Sequence, residues 1–502
     1  MKFEPQRPRR LLKLTVFVTW PIMVWVAEAQ DIAVPSPAPL NPLFVEYMRL
    51  RQAGLVSNTL DEDGHMLGLI PSPLDFSHLR NQPSPLTVTA DVPPLGYDLR
   101  EFGRVTSVKD QGICGTCWAF ATFGSLESAL APGETYDFSE NNMKNLHGFD
   151  SNPCVPGGGN FNFSMAYLSR WLGPVNESHD PYQQNNESSS PRGLATQKHL
   201  QDAILIPARA NLLDNDALKN GVMTYGGLYV TLYWDSAAYN STTASYYTGY
   251  SATPNHSVTL VGWNDSHSKA NFNLTPPADG AFLLKNNWGS EWGQSGYFWI
   301  SYYDTNFATA EPAVAFMGNE PPTNYARLYE YDPLGWVGKY GYPKSTTGWF
   351  ANVFTALNAE ELRAVSTYVA SNSSSYTVKI YTGVTGSKPT NGSLAGEISG
   401  TFALAGYHTV ALPVAVPLTA GEKFSVVVSL TTPGDYYPIP VEYAYALSFS
   451  SGATASPGQS YISSNGNAWT DTTTENGTMN VALKAFSGPA TVKKRSGQTI
   501  SQ

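Results

Sequence analysis

Near Gly318-Asn-Glu-Pro-Pro322 the hydrophobic pattern changes period, and no single fold class accommodates both sides of that point. Ahead of it, residues 117–130 read as a helix closed by Pro132-Gly133, and 162–172 as a second helix stopped by Gly173-Pro174. Strand-like runs follow at 227–233, 257–263, 281–285 and 296–303. Helices early and strands late predict an α+β domain with two unlike lobes over 94–318. Beyond the change, strand candidates recur at 362–370, 376–381, 407–412, 423–430 and 480–486, with turn residues between them. In one of them Tyr376, Val378 and Ile380 alternate with Thr377 and Lys379, the period of a half-buried strand. This spacing predicts an all-β sandwich or jelly roll over 319–487. The length agrees, since 502 residues exceed what one core organises.

The ends read differently. Arg7, Arg9 and Arg10 precede a mostly apolar run over 11–26, and Ala27-Glu28-Ala29 has the small-x-small form of a signal cleavage site, so residues 1–29 are expected to be removed after Ala29. Residues 30–93 are Pro-rich and read as a leader or pro-segment. They hold one short helix over 41–51, with Leu43, Phe44, Tyr47, Met48 and Leu50 as its apolar members, and an extended Gly68-Leu-Ile-Pro-Ser-Pro73. Residues 488–502 form a polar tail with the short basic run Lys493-Lys494-Arg495. A net charge of -10 without a long basic run argues against nucleic acid as a partner. No later stretch approaches the roughly 20 apolar residues of a membrane span, so the expected location is secreted or extracytoplasmic, with cell surface or periplasm as settings. Asn-x-Ser/Thr triplets at Asn176, Asn240, Asn372 and Asn476 suggest exposure there.

The chemistry concentrates around three cysteines, Cys114, Cys117 and Cys154. Cys114-Gly-Thr-Cys117 admits three readings. A redox pair wants a preceding strand in a βαβ context, and Val108-Lys-Asp-Gln-Gly112 does not supply one. A zinc site wants four ligands, and no partner pair of Cys or His stands at ligand spacing, so no metal is expected. A Cys114–Cys154 bridge with Cys117 left free accounts for the odd count in an exported chain. Cys117 also heads the predicted helix, where unsatisfied N–H groups favour thiolate.

Val108-Lys-Asp-Gln-Gly-Ile-Cys-Gly-Thr-Cys-Trp-Ala-Phe-Ala121 closely resembles the active-site segment of the papain family of cysteine peptidases, with Thr116 as a small departure. Asp98-Leu-Arg100 lies upstream much as the mature start of that family does. Asn255-His256-Ser-Val-Thr-Leu-Val-Gly-Trp263 looks like its histidine motif, 139 residues after Cys117. Leu284-Lys-Asn-Asn-Trp-Gly289 resembles its Lys-Asn-Ser-Trp-Gly run, with Asn287 in place of Ser. The resemblance implies a papain-like two-lobed domain with Cys117 as nucleophile, His256 as base, Asn286 orienting the imidazole and Trp288 covering that bond. It implies Gln111 as oxyanion donor. It also implies a disulfide from Cys114 to Cys154 that anchors a glycine segment pairing with substrate, here Gly157 and Gly158 of Cys154-Val-Pro-Gly-Gly-Gly159. The spacing from Cys117 to Asn286 is long, which places extra residues within 264–279.

Residues 319–487 resemble the lectin-like β-sandwich appended to some bacterial and archaeal peptidases of this family, on Asn352-Val-Phe354, Val378-Lys-Ile-Tyr381 and Ala405-Gly-Tyr-His-Thr-Val410. The expectation is therefore a secreted cysteine peptidase acting on proteins or peptides, with no cofactor, held to a polysaccharide or glycoprotein by its C-terminal domain. Two alternatives use the same residues: a carbohydrate-binding surface protein with an inert peptidase scaffold, and a transpeptidase. The Pro71-Ser-Pro73 stretch is the expected cover of the cleft.

Overall fold

The computed structural model describes Met1 and residues 34–490, apart from 57–59, 62–63, 83–85, 87–91, 156, 186–188 and 446–448. The expected signal peptide with Ala29, and Lys493-Lys494-Arg495, lie outside these residues.

The fold is α+β. Five helices organise its first part: α1 (Pro42–Gln52), α2 (Cys117–Leu130), α3 (Glu140–Leu146), α4 (Phe161–Ser169) and α5 (Asp216–Tyr225). Helix α2 is buried from Cys117 through Ser128, so it has no solvent face and serves as the central element. Helices α3 and α4 pack on it, as do the strands Leu228–Leu232, His256–Asn264 and Ala313–Glu320. The nucleophile candidate thus stands where a helical lobe meets a strand-rich one.

That second lobe belongs to a sheet which does not stop at residue 318. From Tyr297–Ser301 it passes through Ala281–Lys285, His256–Asn264, Leu228–Leu232, Ala313–Glu320 and His199–Ile206. It then continues into Ala405–Leu418, Glu360–Val369 and Leu483–Pro489 of the C-terminal all-β part. The joint is antiparallel, Ala405 opposite Leu205 and Tyr407 opposite Ala203. A small sheet, ordered Ser36–Pro37 of the leader, Gly338–Gly341, Ile439–Glu442, Asn480–Val481, and a larger one, ordered Ser393–Phe402, Ser374–Thr382, Lys423–Thr431, Thr347–Thr355, Ser460–Ser463, Thr470–Asp471, make up the rest of the C-terminal part. Phe354 and Phe424 of the latter pack on Tyr329 of the first sheet.

The leader is folded against both parts. Ser36–Pro37 pairs with Gly341 and Tyr340. Asn41 caps α1, its Oδ1 accepting from Leu43 N at 3.1 Å. Of the expected apolar members of α1, Phe44 and Met48 are the buried ones, and Phe44 meets Phe449 at 4.9 Å between ring centroids. The exposure expected of Asn372 is not found. It is buried, and its Oδ1 accepts from Ala405 N at 3.1 Å, closing a turn beside the sheet joint.

Candidate active site

Helix α2 begins at Cys117, after Thr116, whose side chain makes no cap to the helix and instead bonds Tyr182 OH at 2.6 Å. The first turn therefore keeps donors directed at the head of the helix. Cys114 and Cys154 form a disulfide, and Cys117 is free and buried. This bridge ties the loop ahead of α2 to the glycine segment, and Gly115 N donates to Cys154 O at 3.1 Å.

His256 opens one strand and Asn286 follows the end of its neighbour, brought together by the Thr259–Lys285 register. His256 Nε2 and Asn286 Oδ1 stand 2.9 Å apart. The same oxygen accepts from Asn287 N at 2.9 Å, which identifies it as the acceptor and puts the imidazole proton on Nε2. Nδ1 is left as a base. It is buried and has no hydrogen-bond partner among the described residues. Trp288 stacks on the His256 ring at 4.7 Å.

Gln111 is wholly buried, its backbone N donating to Asn287 O at 2.8 Å. The loop is anchored by Lys109, whose Nζ lies 2.7 Å from Asp137, 2.9 Å from Glu140 and 3.4 Å from Glu127. Asn287, noted in the sequence only as a departure, has a structural use. Its Nδ2 reaches Cys117 O and Ser257 O, both at 3.2 Å, linking the backbone beside the nucleophile to that beside the histidine. A serine hydroxyl has one proton and could donate to only one of them.

The cleft is filled by the leader, and by a different stretch from the one expected. Residues 65–70 cross it, whereas Pro71-Ser-Pro73 lies just beyond. Gln111 Nε2 donates to Met66 O at 2.6 Å and to Cys114 O at 2.7 Å. Gly68 sits so close to Gly115 that a Cβ there would meet its carbonyl oxygen at 2.1 Å. His65 stacks on Trp288 at 4.8 Å. The glycine wall pairs with the leader through Gly159, not through Gly157 and Gly158. Gly159 N donates to Gly68 O at 3.0 Å, and Ile70 N donates to Gly159 O at 2.9 Å. The third glycine moves the pairing position one residue on; Gly157 instead lines the adjoining groove with Thr253, Pro254 and Leu69. Each wall glycine is sterically required, since a Cβ on Gly157 would strike Cys154 O at 2.2 Å and one on Gly159 the Trp118 ring at 2.6 Å.

This cover sets the electrostatics. Burial pushes the Cys117 thiol up to about 11, against the opposing pull of hydrogen bonds from Ser257, Gly68 and Trp118. Burial likewise brings His256 down to about 4, despite its bond to Asn286. At neutral pH both are uncharged. A helix head favours thiolate, and burial of the site outweighs it here.

Comparison with known proteins follows this division. Residues 93–316 match the family model of papain family cysteine proteases, and 328–487 match that of the lectin-like domain. Mouse procathepsin L is 32% identical over 219 residues, 41% of this chain and 60% of its own. A probable cysteine protease of Arabidopsis thaliana, RD19C, is 28% identical over 234 residues, 44% of this chain and 59% of its own. The chain thus spans about 60% of the length of these curated relatives. The solved cysteine protease and lectin-like domains of Cwp84, a surface layer associated protein of Clostridium difficile, superpose with TM-score 0.76 at 25% identity, covering 92% of this chain and all of that one. A clostridial Cwp84 variant after propeptide cleavage gives TM-score 0.70 at 27% identity, covering 79% of this chain and 99% of its own.

Proposed function

From a chain that joins a papain-family cysteine protease domain to a lectin-like domain, we propose a cysteine peptidase held inactive by residues 34–82 and directed to a surface by its C-terminal part. The observation that carries this reading is the His256 Nε2–Asn286 Oδ1 contact of 2.9 Å under Trp288, with the backbone of free Cys117 tied through Asn287 Nδ2 to that of Ser257, the residue after His256. That arrangement leaves Nδ1 ready to take the thiol proton.

In the reaction, the leader is withdrawn and water and substrate reach the site. Relief of burial lowers the Cys117 pKa and raises that of His256, so the proton passes from sulfur to Nδ1. The thiolate attacks the scissile carbonyl. Gln111 Nε2, released from Met66 O, and the Cys117 N–H hold the oxyanion, a contribution of about 3 kcal/mol per donor. His256 returns its proton to the leaving amine, and water then hydrolyses the thioester with His256 as base. Asn286 keeps the ring aligned throughout. No step calls for a metal or cofactor.

We further place the protein outside the cytoplasm, with proteins or peptides as substrates and a polysaccharide or glycoprotein as the partner of residues 319–487. The surface-layer association of Cwp84 supports this reading. Alkylation of leader-free protein by an epoxide inactivator, mapped by mass spectrometry, tests the catalytic part. Modification at Cys117 with loss of peptide hydrolysis is expected; hydrolysis that persists in Cys117→Ala refutes it. Retention of the full chain on glycan arrays tests the second part, and no retention on any glycan counts against it.

A further inference from the structure

Behind the nucleophile lies a pair of hydroxyls that this mechanism does not use. Ser257 directly follows His256, and Tyr229 lies on the neighbouring strand. The register sets Tyr229 opposite Thr259 and Thr231 opposite Ser257, so Tyr229 and Ser257 are diagonal neighbours on one face of the sheet. That face meets α2: Thr259 Oγ1 approaches Ala121 O at 3.5 Å, and a Cβ on Gly124 would strike Thr259 Oγ1. Tyr229 OH and Ser257 Oγ are 2.8 Å apart, and both side chains are wholly buried. Asn287 fixes the backbone of Ser257 and of Cys117 from a single amide, which ties the two residues to one another.

We propose that Ser257 is a further catalytic residue, whose hydroxyl, oriented by Tyr229, donates a hydrogen bond to the Cys117 thiolate. The inference rests on the peptidase reading above. Tyr229 donates its proton to Ser257 Oγ, and Ser257 thereby turns its own proton to the sulfur. The thiol proton still goes to His256 Nδ1; Ser257 and Tyr229 keep theirs and move no charge. The electrostatics of the pair agree with this order. The Ser257 hydroxyl is among the groups that hold the Cys117 pKa down against burial. Tyr229 is kept protonated, chiefly by burial and secondarily by the nearby Glu311 carboxylate, so it remains a donor. A hydrogen bond to a charged acceptor is the strong kind, and here it acts on the reacting atom.

The test is the pH dependence of Cys117 alkylation by iodoacetamide in leader-free full chain, together with thiolate absorbance near 240 nm. Ser257→Ala is expected to move the acid limb toward higher pH and to slow alkylation at pH 5 about tenfold. Tyr229→Phe should move it in the same direction by less, and the double variant no further than Ser257→Ala. Thermal melting shows whether each variant is folded. Should Ser257→Ala not fold, Tyr229→Phe, which loses only one oxygen, decides alone. Overlay of folded Ser257→Ala with wild type within twofold, or of Tyr229→Phe where it decides alone, overturns the role of Ser257. Failure of wild-type Cys117 to alkylate overturns the peptidase reading itself, so the two outcomes are separable.

Discussion

Gly68 shows how much of the leader's fit in the cleft rests on one missing methyl group. Its Cα runs under Gly115, where a Cβ would lie 2.1 Å from a backbone oxygen that cannot move without disturbing the disulfide-linked loop. Gly68→Ala should therefore expel residues 65–70 from the cleft while leaving the peptidase fold intact. Uncleaved Gly68→Ala precursor is expected to hydrolyse a fluorogenic peptide about tenfold or more faster than uncleaved wild type; equal rates would show that the leader does not hold the site through this contact. Glu311 adds a pH dependence. Its Oε1 accepts from Ser72 N at 2.6 Å, Oε2 has no partner among the described residues, and burial raises the acid from 4.5 to about 7. The covered state therefore binds a proton that a solvated Glu311 does not bind between those values. The leader's hold is fully supported by this group below about 4.5 and loses that support as pH rises through about 7. Precursor activity is expected to rise over that interval, and Glu311→Gln should flatten the rise. An unchanged pH profile in Glu311→Gln would remove Glu311 from the account.

At the scale of elements, the leader helix α1 reads well from sequence and the extended segment that crosses the cleft does not. Asn41 before Pro42, with apolar residues recurring through 43–50, announces a capped helix. The structure adds which of those residues matter, since Phe44 packs on Tyr445 and Phe449 and Met48 is buried in the same core, while Leu43, Tyr47 and Leu50 border the groove beside Gly157. Phe44→Ala should weaken docking of α1 by up to about 3 kcal/mol, seen as earlier proteolytic nicking of 34–82 while the remainder stays resistant; unaltered resistance of the leader would contradict this packing. Cys117 and His256 are legible because the segments around them, Cys114-Gly-Thr-Cys-Trp-Ala-Phe120 and Asn255-His256-Ser-Val-Thr-Leu-Val261, resemble the active-site and histidine motifs of the papain family. Gly159, Ser257 and Asn287 are not, because what each touches depends on register between strands far apart in the chain. Residues 65–70 have no pattern of their own, being paired to a partner wall only in the folded molecule. The His199–Ile206 and Ala313–Glu320 strands are equally hidden: the first is buried on both faces over most of its length and the second over its first half, so neither shows the alternation that marks 376–381.

Those two strands decide how the whole molecule behaves. Because Ala405–Leu418 pairs with His199–Ile206, the C-terminal part completes a sheet that also carries His256 and Asn286. Separating the parts would bare the edge of a buried strand along Ala203, Ile204 and Leu205, and would break the contact of His408 Nδ1 with Asp202 Oδ1 at 3.1 Å and of Arg170 Nη1 with Pro333 O at 2.7 Å. An appended module on a linker would make few such contacts, so residues 34–490 should unfold as one cooperative unit. Gly406 is the point at which to challenge this. Its φ of 140° and the 2.0 Å that would separate a Cβ from Ala203 O mean that any side chain forces the joint apart. Gly406→Ala is expected to lower the melting temperature by on the order of 5 °C and to divide the calorimetric transition in two, with peptidase activity lost in the earlier one as the His256 strand loses its support. Two transitions already present in the wild-type chain, or an unaltered melt in Gly406→Ala, would mean that the sheet joint does not couple the parts, and the C-terminal domain would then be a tether rather than a structural half of the enzyme.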